Sequence, residues 1–200
     1  YYFDEQTKRI RQDLEDLGIE EIESDSFHAR KSLAYTLSYL FKDQDQVTFT
    51  EEFRHLAYDL THPEDFPMKP LNIKAELRDY QKKGIQWLQM LHHYGFGGIL
   101  ADDMGLGKTL QAIAFLNSQL QDDSRVLILA PSGLIYNWAD EFEKFAPDID
   151  VAVVHGLKPY RETVLAENHQ IYLTSYATFR QDSDVYKQMS FDFLFLDEAQ

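Results

Sequence analysis

Apolar positions along the 200-residue chain follow two patterns, and the change between them falls near residue 70. In the first part, apolar side chains recur every three or four positions, as they do on one face of an amphipathic helix. This spacing predicts helices over residues 4–17, 26–41 and 50–60. Gly18 can end the first helix as a C-cap, and Ser26 and Thr50 are candidate N-caps of the other two.

Residues 61–72 interrupt the helical pattern with three prolines. Proline removes a backbone donor and breaks regular structure, so this stretch is interpreted as a linker that contains a domain boundary. We place a helical region over residues 1–65, expected to be the end of a larger domain, and a second domain over residues 66–200.

The second part alternates short apolar runs with amphipathic stretches. The runs predict strands over residues 98–101, 125–130, 151–154, 171–174 and 191–197. The amphipathic stretches predict helices over residues 75–91, 108–120, 134–145, 159–168 and 176–189. This alternation is typical of right-handed βαβ units, and it predicts an α/β fold with a parallel sheet and helices on both faces.

Composition adds that the folded chain is strongly acidic. Hydrophobic residues make up 44% of the sequence, and the formal net charge is −15. Acidic residues outnumber basic ones in both parts, and the run over residues 20–25 is interpreted as a solvated turn. No basic stripe of the kind that marks many nucleic-acid-binding proteins is present, so any nucleic-acid contact is expected to be local.

The sequence also indicates in which cellular compartment the protein is expected. No apolar run approaches the roughly 20 residues that span a bilayer, and the N-terminus has no signal-peptide pattern. The chain has no cysteine, which excludes disulfides and thiolate zinc sites within it. We expect a cytoplasmic protein without membrane contact and, because the sequence begins with Tyr1, a piece of a longer chain.

Residues 98–110 carry the clearest chemistry. An apolar run, a glycine-rich turn, Lys108-Thr109 and a helical pattern follow one another, as in loops that hold nucleotide phosphates. Gly105 and Gly107 let backbone N–H groups approach phosphate oxygens. Lys108 supplies a positive charge, and the Thr109 hydroxyl is a ligand for Mg²⁺. Asp102 stands where the general pattern has glycine, which excludes a loop of the small-GTPase kind and indicates a variant branch.

Asp197 and Glu198 follow the last predicted strand. The carboxyl ends of parallel strands meet at one edge of a sheet, where ligands bind. With a phosphate loop in the same sheet, Asp197 is predicted to hold Mg²⁺, and Glu198 to position or deprotonate the attacking water. Gln81, on the helix before the loop, has an amide that can donate and accept at the adenine edge. A plain amphipathic helix explains its position equally.

Five segments in order resemble the SWI/SNF-type ATPases of helicase superfamily two. Residues 100–109 look like motif I of that family, and residues 77–88 like the segment that precedes it. Residues 127–138, 173–180 and 196–200 are similar to motifs Ia, Ib and II. Residues 1–65 resemble, more weakly, the helical region before the motor in bacterial members.

The resemblance implies a RecA-like lobe that binds ATP and Mg²⁺ and contacts double-stranded DNA. It implies that Arg78 and Gln81 contact adenine, and that Lys108, Asp197 and Glu198 carry the catalysis. Further nucleotide contacts are implied along the phosphate loop, at Asp103, Met104, Gly105, Leu106, Gly107, Thr109 and Leu110. Thr109 and Asp197 would hold the metal.

Motifs Ia and Ib of the family touch the backbone of one DNA strand, which maps to Ser132, Thr174 and Ser175. Helix capping and turn formation remain an alternative role for these three residues. Trp138 is interpreted as a core residue. Gln200 stands where many members carry histidine, and its role in coupling nucleotide to DNA stays open.

The implied function is an ATP-driven translocase that moves on double-stranded DNA as a monomeric motor and remodels protein–DNA complexes without separating strands. Motif III and a second lobe are absent from these 200 residues, so the piece alone is expected not to hydrolyse ATP at a useful rate. The alternatives are another superfamily-two enzyme, of restriction type or acting on RNA, and a nucleotide-gated scaffold without hydrolysis.

Overall fold

The computed structural model describes residues 5–19, 26–42, 44 and 47–199. The acidic run over residues 20–25 and the motif II residue Gln200 lie outside these described residues. The chain divides into two compact units, Tyr1–Asp65 and Phe66–Gln200, and each unit has its own hydrophobic core.

The first unit is helical in its described part. It contains α1 (Glu5–Asp16), a 3₁₀ turn (Lys31–Leu33), α2 (Ala34–Leu40), α3 (Glu51–Thr61) and a second 3₁₀ turn (Pro63–Asp65). Leu14, Leu37 and Phe41 are buried together in its core. The helical spacing read from the sequence therefore reflects burial of one face of each helix.

The two predicted N-caps of this unit have different outcomes. Thr50 caps α3, because its hydroxyl oxygen accepts a hydrogen bond from the Phe53 N–H at 3.3 Å. The prediction for Ser26 is wrong, since helical structure starts only at Lys31. A capping side chain stabilises the start of a helix. Helix α2 instead begins at Ala34, which is buried together with Leu37.

The second unit alternates helices and strands as predicted, with one strand missing. Its elements are α4 (Asp79–Tyr94), α5 (Lys108–Gln119), β1 (Val126–Ala130), α6 (Ile135–Phe145), β2 (Val151–Val154), α7 (Lys158–Ala166), β3 (Ile171–Ser175), α8 (Tyr176–Gln181), α9 (Ser183–Tyr186) and β4 (Phe193–Leu196). No helix in the described part of the chain is long and apolar enough to cross a bilayer.

The four strands form a parallel sheet in the order β2-β3-β1-β4. Every residue of the central strands β1 and β3 is buried, as expected for strands covered on both faces. Helices α4, α5 and α6 contribute to one core with Val126, Ile128 and Ala130. Helix α7 and the segment after β3 pack on the opposite face, against Leu127 and Leu129.

The proline-rich segment from Phe66 onward is packed on the second unit. The Lys69 N–H donates to the Gln89 side-chain oxygen at 2.8 Å, and the Lys69 Nζ donates to the Gln119 side-chain oxygen at 2.6 Å. Leu71 is partly buried against the core of this unit. The prolines thus mark an extended segment fixed to α4 and α5, and α4 begins only at Asp79.

The predicted strand over residues 98–101 is wrong. The described residues between Gly95 and Gly107 include no strand, and the side chain of Ile99 is 87% exposed. A strand needs a hydrogen-bonded neighbour, and residues 98–101 pair with none of the four strands. An apolar run of this length predicts a buried strand, but it does not specify which strand would pair with it.

Candidate functional site

The carboxyl edge of the sheet collects the segments that were predicted to carry chemistry. Ala130 pairs with Ser175, and Leu129 pairs with Leu196. The segment after β1, the start of α8 and Asp197 therefore leave the sheet at the same edge. The register of β1 and β4 continues one residue further, because the Asp197 N–H donates to the Leu129 carbonyl at 2.8 Å.

Helix α5 starts without a capping side chain. Its N-cap is Gly107, which has a φ of +79° and provides no side-chain cap. Gly105 also has a positive φ, of +84°, and a Cβ there would meet nothing within 4 Å. The first N–H groups of a helix have no intrahelical partner and carry the positive end of its dipole. This loop and helix start are therefore suited to bind phosphate.

The start of α4 holds the loop from one side. The Tyr80 hydroxyl and the Gln81 side-chain nitrogen both donate to the Leu106 carbonyl, at 3.1 Å each. The Gln81 oxygen accepts from the Arg78 N–H at 3.0 Å. Gln81 is only 6% exposed. Both polar ends of this amide are thus used within the protein, where they tie α4 to the loop.

Asp102 links the loop to helix α5. Its carboxylate accepts a hydrogen bond from the side-chain nitrogen of the fully buried Gln111 at 3.0 Å. Gly84 makes room for Gln111, because a Cβ on Gly84 would lie 2.0 Å from the Gln111 side-chain oxygen. The aspartate that departs from the general phosphate-loop pattern therefore has a structural partner, and sequence spacing alone did not indicate this role.

The amino group of Lys108 lies inside the loop. Its Nζ donates to the Asp102 carbonyl at 2.7 Å and to the Asp103 carbonyl at 3.2 Å. Carbonyl oxygens are weaker partners for an ammonium than anionic oxygens are. A phosphate at the start of α5 would therefore compete well for Lys108.

Aromatic contacts relate helices α4 and α5 to the last strand. The ring centroid of Phe115, on α5, lies 5.7 Å from that of Phe193 at the start of β4, and the ring centroid of His92, near the end of α4, lies 5.0 Å from that of Phe193. Residues 108 and 115 are about 10 Å apart along a helix. The start of α5 therefore lies about 10 Å along its helix from this contact.

Two side chains hold Asp197 in place. The indole N–H of Trp138, on α6, donates to the Asp197 Oδ2 at 2.8 Å. The hydroxyl of Tyr176, at the start of α8, donates to the Asp197 carbonyl at 2.8 Å. Trp138 is 5% exposed, so its assignment to the core was right, but its hydrogen bond to a predicted metal ligand could not be read from periodicity.

The negative charge of Asp197 acts on two neighbouring groups. Burial raises the pKa of Glu141, Lys144 opposes that rise, and the charge of Asp197 adds to it. Burial, followed by the same charge, raises the pKa of Tyr176. A negative carboxylate at this edge would attract a cation.

Glu198 has an unusual backbone conformation. Its φ is +47°, the only positive value for a non-glycine residue in the described part of the chain. Left-handed backbone costs an L-residue about 1–2 kcal/mol, and such strain is concentrated at functional sites. The Glu198 side chain is exposed, so it is accessible to a ligand at this edge.

The residues present fit Mg²⁺ bound together with a phosphate group. The Thr109 hydroxyl and the Asp197 carboxylate would supply oxygen ligands, and Mg²⁺ typically takes one or two protein carboxylates plus phosphate oxygens and water. Among the described residues, no three or more His, Cys, Asp or Glu side chains are grouped to hold a metal by themselves.

The three residues predicted to contact DNA are placed differently from one another. Ser132 is exposed in the segment after β1. Thr174 is fully buried and donates its hydroxyl to the Val154 carbonyl at 2.7 Å. Ser175 caps α8 by accepting from the Thr178 N–H at 3.1 Å. Thr174 and Ser175 therefore support the structure of this edge, and of the three only Ser132 presents its side chain to solvent.

The other predicted nucleotide contacts differ in their exposure to solvent. Arg78, Asp103 and Met104 are exposed, and Leu110 is half-buried. Met104 is 87% exposed, which places an apolar side chain in solvent beside the start of α5. Such a side chain is accessible to a bound nucleotide.

The fold and the site define a phosphate-loop α/β lobe, and comparison with known proteins gives its family. The chain belongs to the SNF2 family, because the model of the SNF2-related domain matches residues 80–200. The bacterial SNF2 helicase-associated domain matches residues 3–70. The family predicted from the five motifs is therefore confirmed.

Two curated relatives illustrate the range of this family. The putative ATP-dependent helicase/translocase YwqA of Bacillus subtilis is 37% identical over 163 residues, which cover 78% of this chain and 18% of the relative. The chromatin-remodeling ATPase INO80 of Arabidopsis thaliana is 36% identical over 163 residues, covering 71% of this chain and 11% of the relative. The chain thus spans less than a fifth of either relative.

A solved structure shares the fold. The SWI2/SNF2 ATPase core of Sulfolobus solfataricus in complex with dsDNA is 31% identical, with a TM-score of 0.55 over 66% of this chain and 34% of that one. A second structure, the SWI2/SNF2 ATPase core domain of Sulfolobus solfataricus, is 37% identical, with a TM-score of 0.56 over 66% of this chain and 27% of that one. The predicted RecA-like lobe with a parallel sheet is therefore confirmed.

Proposed function

We propose that this chain is the ATP-binding part of a motor that moves on double-stranded DNA and remodels protein–DNA complexes without separating the strands. Two observations carry the proposal. The glycine loop ends in Lys108 at the start of α5, where no side chain caps the helix, and the Asp197-Glu198 pair follows β4 at the carboxyl edge of the sheet.

In this role the residues divide the chemistry of phosphoryl transfer. The backbone N–H groups at the start of α5 and the Lys108 ammonium hold the β- and γ-phosphates. Mg²⁺, held through Thr109 and Asp197, neutralises phosphate charge when it is bound. Glu198 orients the attacking water and accepts its proton.

Three considerations support DNA as the partner. One of the similar solved structures is an ATPase core in complex with dsDNA, and relatives are named as helicases, translocases and chromatin-remodeling ATPases. Ser132, at the edge where the family's motif Ia touches DNA, is exposed. We accordingly propose that the protein acts in the cytoplasm on nucleoid DNA, as a monomeric motor.

The test is the ATPase activity of the full-length protein with double-stranded DNA, single-stranded DNA and RNA compared at one salt concentration. Double-stranded DNA should stimulate hydrolysis most, and Lys108→Ala and Glu198→Gln should each abolish the stimulation. Equal stimulation by RNA would contradict the DNA motor. Unchanged hydrolysis in both variants would contradict an ATP-driven function of these residues, and absence of hydrolysis in the unmodified protein would favour the scaffold alternative.

Translocation without strand separation needs its own measurement. The full-length protein with ATP should displace the third strand of a DNA triplex while leaving the underlying duplex intact. Lys108→Ala should displace nothing. Release of single strands from a blunt duplex would show that the enzyme is a strand-separating helicase instead.

A further inference from the structure

Asp197 is held from two helices, α6 and α8, that pack on opposite faces of the sheet. Trp138 on α6 reaches its carboxylate, and Tyr176 on α8 reaches its carbonyl, both at 2.8 Å. The Asp197 N–H is fixed to β1 through Leu129. Side chain, carbonyl and N–H of one residue are thus each held by a different element.

The bond from Trp138 fixes one of the two carboxylate oxygens. An indole N–H is only a donor, and Trp138 donates it to Oδ2 from a site where the residue is 5% exposed. Hydrogen bonds to a charged acceptor are about twice as strong as neutral ones. Oδ2 is therefore held in place, and Oδ1 is left as the oxygen that can face a cation.

Packing alone does not require this contact. Phe142, on the same helix, is 1% exposed and fills the same core with a ring that has no polar atom. The nearest ring to Trp138 is that of Phe142, at 6.2 Å between centroids. A tryptophan at position 138 differs from its apolar neighbour in carrying a donor, and that donor is directed at Asp197.

We propose that Trp138 and Tyr176 are positioning residues for the metal carboxylate, which orient Asp197 so that one oxygen faces Mg²⁺. This inference rests on the proposed nucleotide site and adds to it the residues that hold the ligand. Partners of this kind around a metal ligand typically contribute about 10- to 100-fold to metal affinity or activity.

The test compares Trp138→Phe with Trp87→Phe in the full-length protein. The first change removes the donor and keeps an aromatic ring. The second makes the same substitution at the other tryptophan, which lies on α4 and packs over Gly98. The readout is the Mg²⁺ concentration that gives half-maximal binding of a fluorescent, non-hydrolysable ATP analogue, so that no turnover is needed.

Trp138→Phe should raise this Mg²⁺ concentration about tenfold, whereas Trp87→Phe should leave it near that of the unmodified protein. Tyr176→Phe should raise it by a smaller factor, because it releases the backbone of Asp197 and not the carboxylate. An equal Mg²⁺ requirement in Trp138→Phe and Trp87→Phe, with both proteins folded by circular dichroism, would overturn the inference.

A double variant separates positioning from a general packing defect. In Asp197→Asn the carboxylate is gone, so adding Trp138→Phe should change the Mg²⁺ requirement no further. If the two effects multiply instead, Trp138 acts independently of Asp197 and the inference is wrong. A Tyr176→Phe measurement decides the same question should Trp138→Phe fail to fold.

The outcome is distinguishable from a failure of the proposed function. Absence of DNA-stimulated hydrolysis in the unmodified protein would contradict the motor, while Mg²⁺-dependent binding of the analogue would still report on Trp138. Conversely, DNA-stimulated hydrolysis together with an unchanged Mg²⁺ requirement in Trp138→Phe and Tyr176→Phe would support the motor function and contradict the positioning role.

Discussion

Gly107 is the residue at which two constraints on the phosphate loop meet. Its φ of +79° is a conformation that L-residues with a side chain rarely adopt, and a Cβ there would lie 2.6 Å from the Gln81 side-chain nitrogen. The same Gln81 nitrogen donates to Leu106. A side chain at residue 107 would therefore strain the backbone and disturb the attachment of the loop to α4.

Gly107→Ala is expected to destabilise the protein by about 1–2 kcal/mol through the left-handed conformation alone. It should also weaken nucleotide binding, because the loop loses its contact with Gln81. The control is Gly133→Ala, since the φ of Gly133 lies outside the left-handed range and a Cβ there would meet nothing within 4 Å. Urea unfolding should show a lower midpoint for Gly107→Ala only, and equal midpoints would contradict this account.

For single residues, the sequence indicated which side chains are candidates for the site better than it indicated their hydrogen-bond partners. Gly107 and Lys108 are predicted because glycine and lysine at that spacing are typical of phosphate loops, and Asp197 is predicted because it follows a strand of the same sheet. The bond from Trp138 to Asp197 joins residues 59 positions apart in the chain. Such a contact depends on how α6 packs beside β4, and neither periodicity nor spacing specifies that packing.

Among the elements, α7 and the turn between α8 and α9 are joined by a buried ion pair. Arg161 donates to the Asp182 carboxylate at 2.6 and 2.9 Å, and both side chains are less than a tenth exposed. Arg161 also donates to the Gly156 carbonyl. The guanidinium thus fixes the segment after β2 to the end of α8, next to the edge that carries the site.

Asp182→Asn is expected to cost about 3–5 kcal/mol of unfolding free energy, because it leaves the buried guanidinium without its counter-charge. Asp184→Asn is the matched control, since Asp184 pairs with Lys187 at the surface, where its side chain is 91% exposed, and such pairs contribute little. Chemical denaturation at neutral pH measures both. Equal losses in the two variants would show that the buried pair has no special role.

The same pair predicts how stability depends on pH. The hydrogen bond from Arg161 lowers the pKa of Asp182 below its ordinary value, which is about 3.9 in an unfolded chain. The stabilisation is therefore complete above that unfolded pKa and is lost as the pH falls through the lower folded pKa. Unfolding free energies measured from pH 6 down to pH 2.5 should fall more steeply for the unmodified protein than for Asp182→Asn.

The missing strand marks the limit of sequence reasoning about elements. The runs that became β1 and β3 have neighbours on both sides and are buried throughout. Residues 98–101 are equally apolar, yet Ile99 is 87% exposed. Strand formation depends on a partner as well as on hydrophobicity, and only the three-dimensional order of the sheet supplies that information.

Across the whole molecule, the net charge of −15 constrains how DNA could be bound. Affinity for DNA rises with the number of phosphates that basic residues neutralise. At the carboxyl edge, exposed basic side chains are provided by Lys158 at the start of α7 and Arg180 in α8. The DNA binding proposed for this lobe would therefore rest on a few local contacts, and it is expected to depend only modestly on salt.

Arg180→Ala and Lys158→Ala in the full-length protein should each weaken binding of double-stranded DNA and reduce the salt slope by about 0.9, the contribution of one neutralised phosphate. Lys144→Ala removes the same charge from the last turn of α6, a helix that begins at the carboxyl edge and ends at the opposite one. Its salt slope should match that of the unmodified protein. Because all three variants change the net charge equally, a general charge effect would lower the three slopes together. A lower slope in Arg180→Ala and Lys158→Ala alone would instead locate the DNA at the carboxyl edge of the sheet, which carries Asp197.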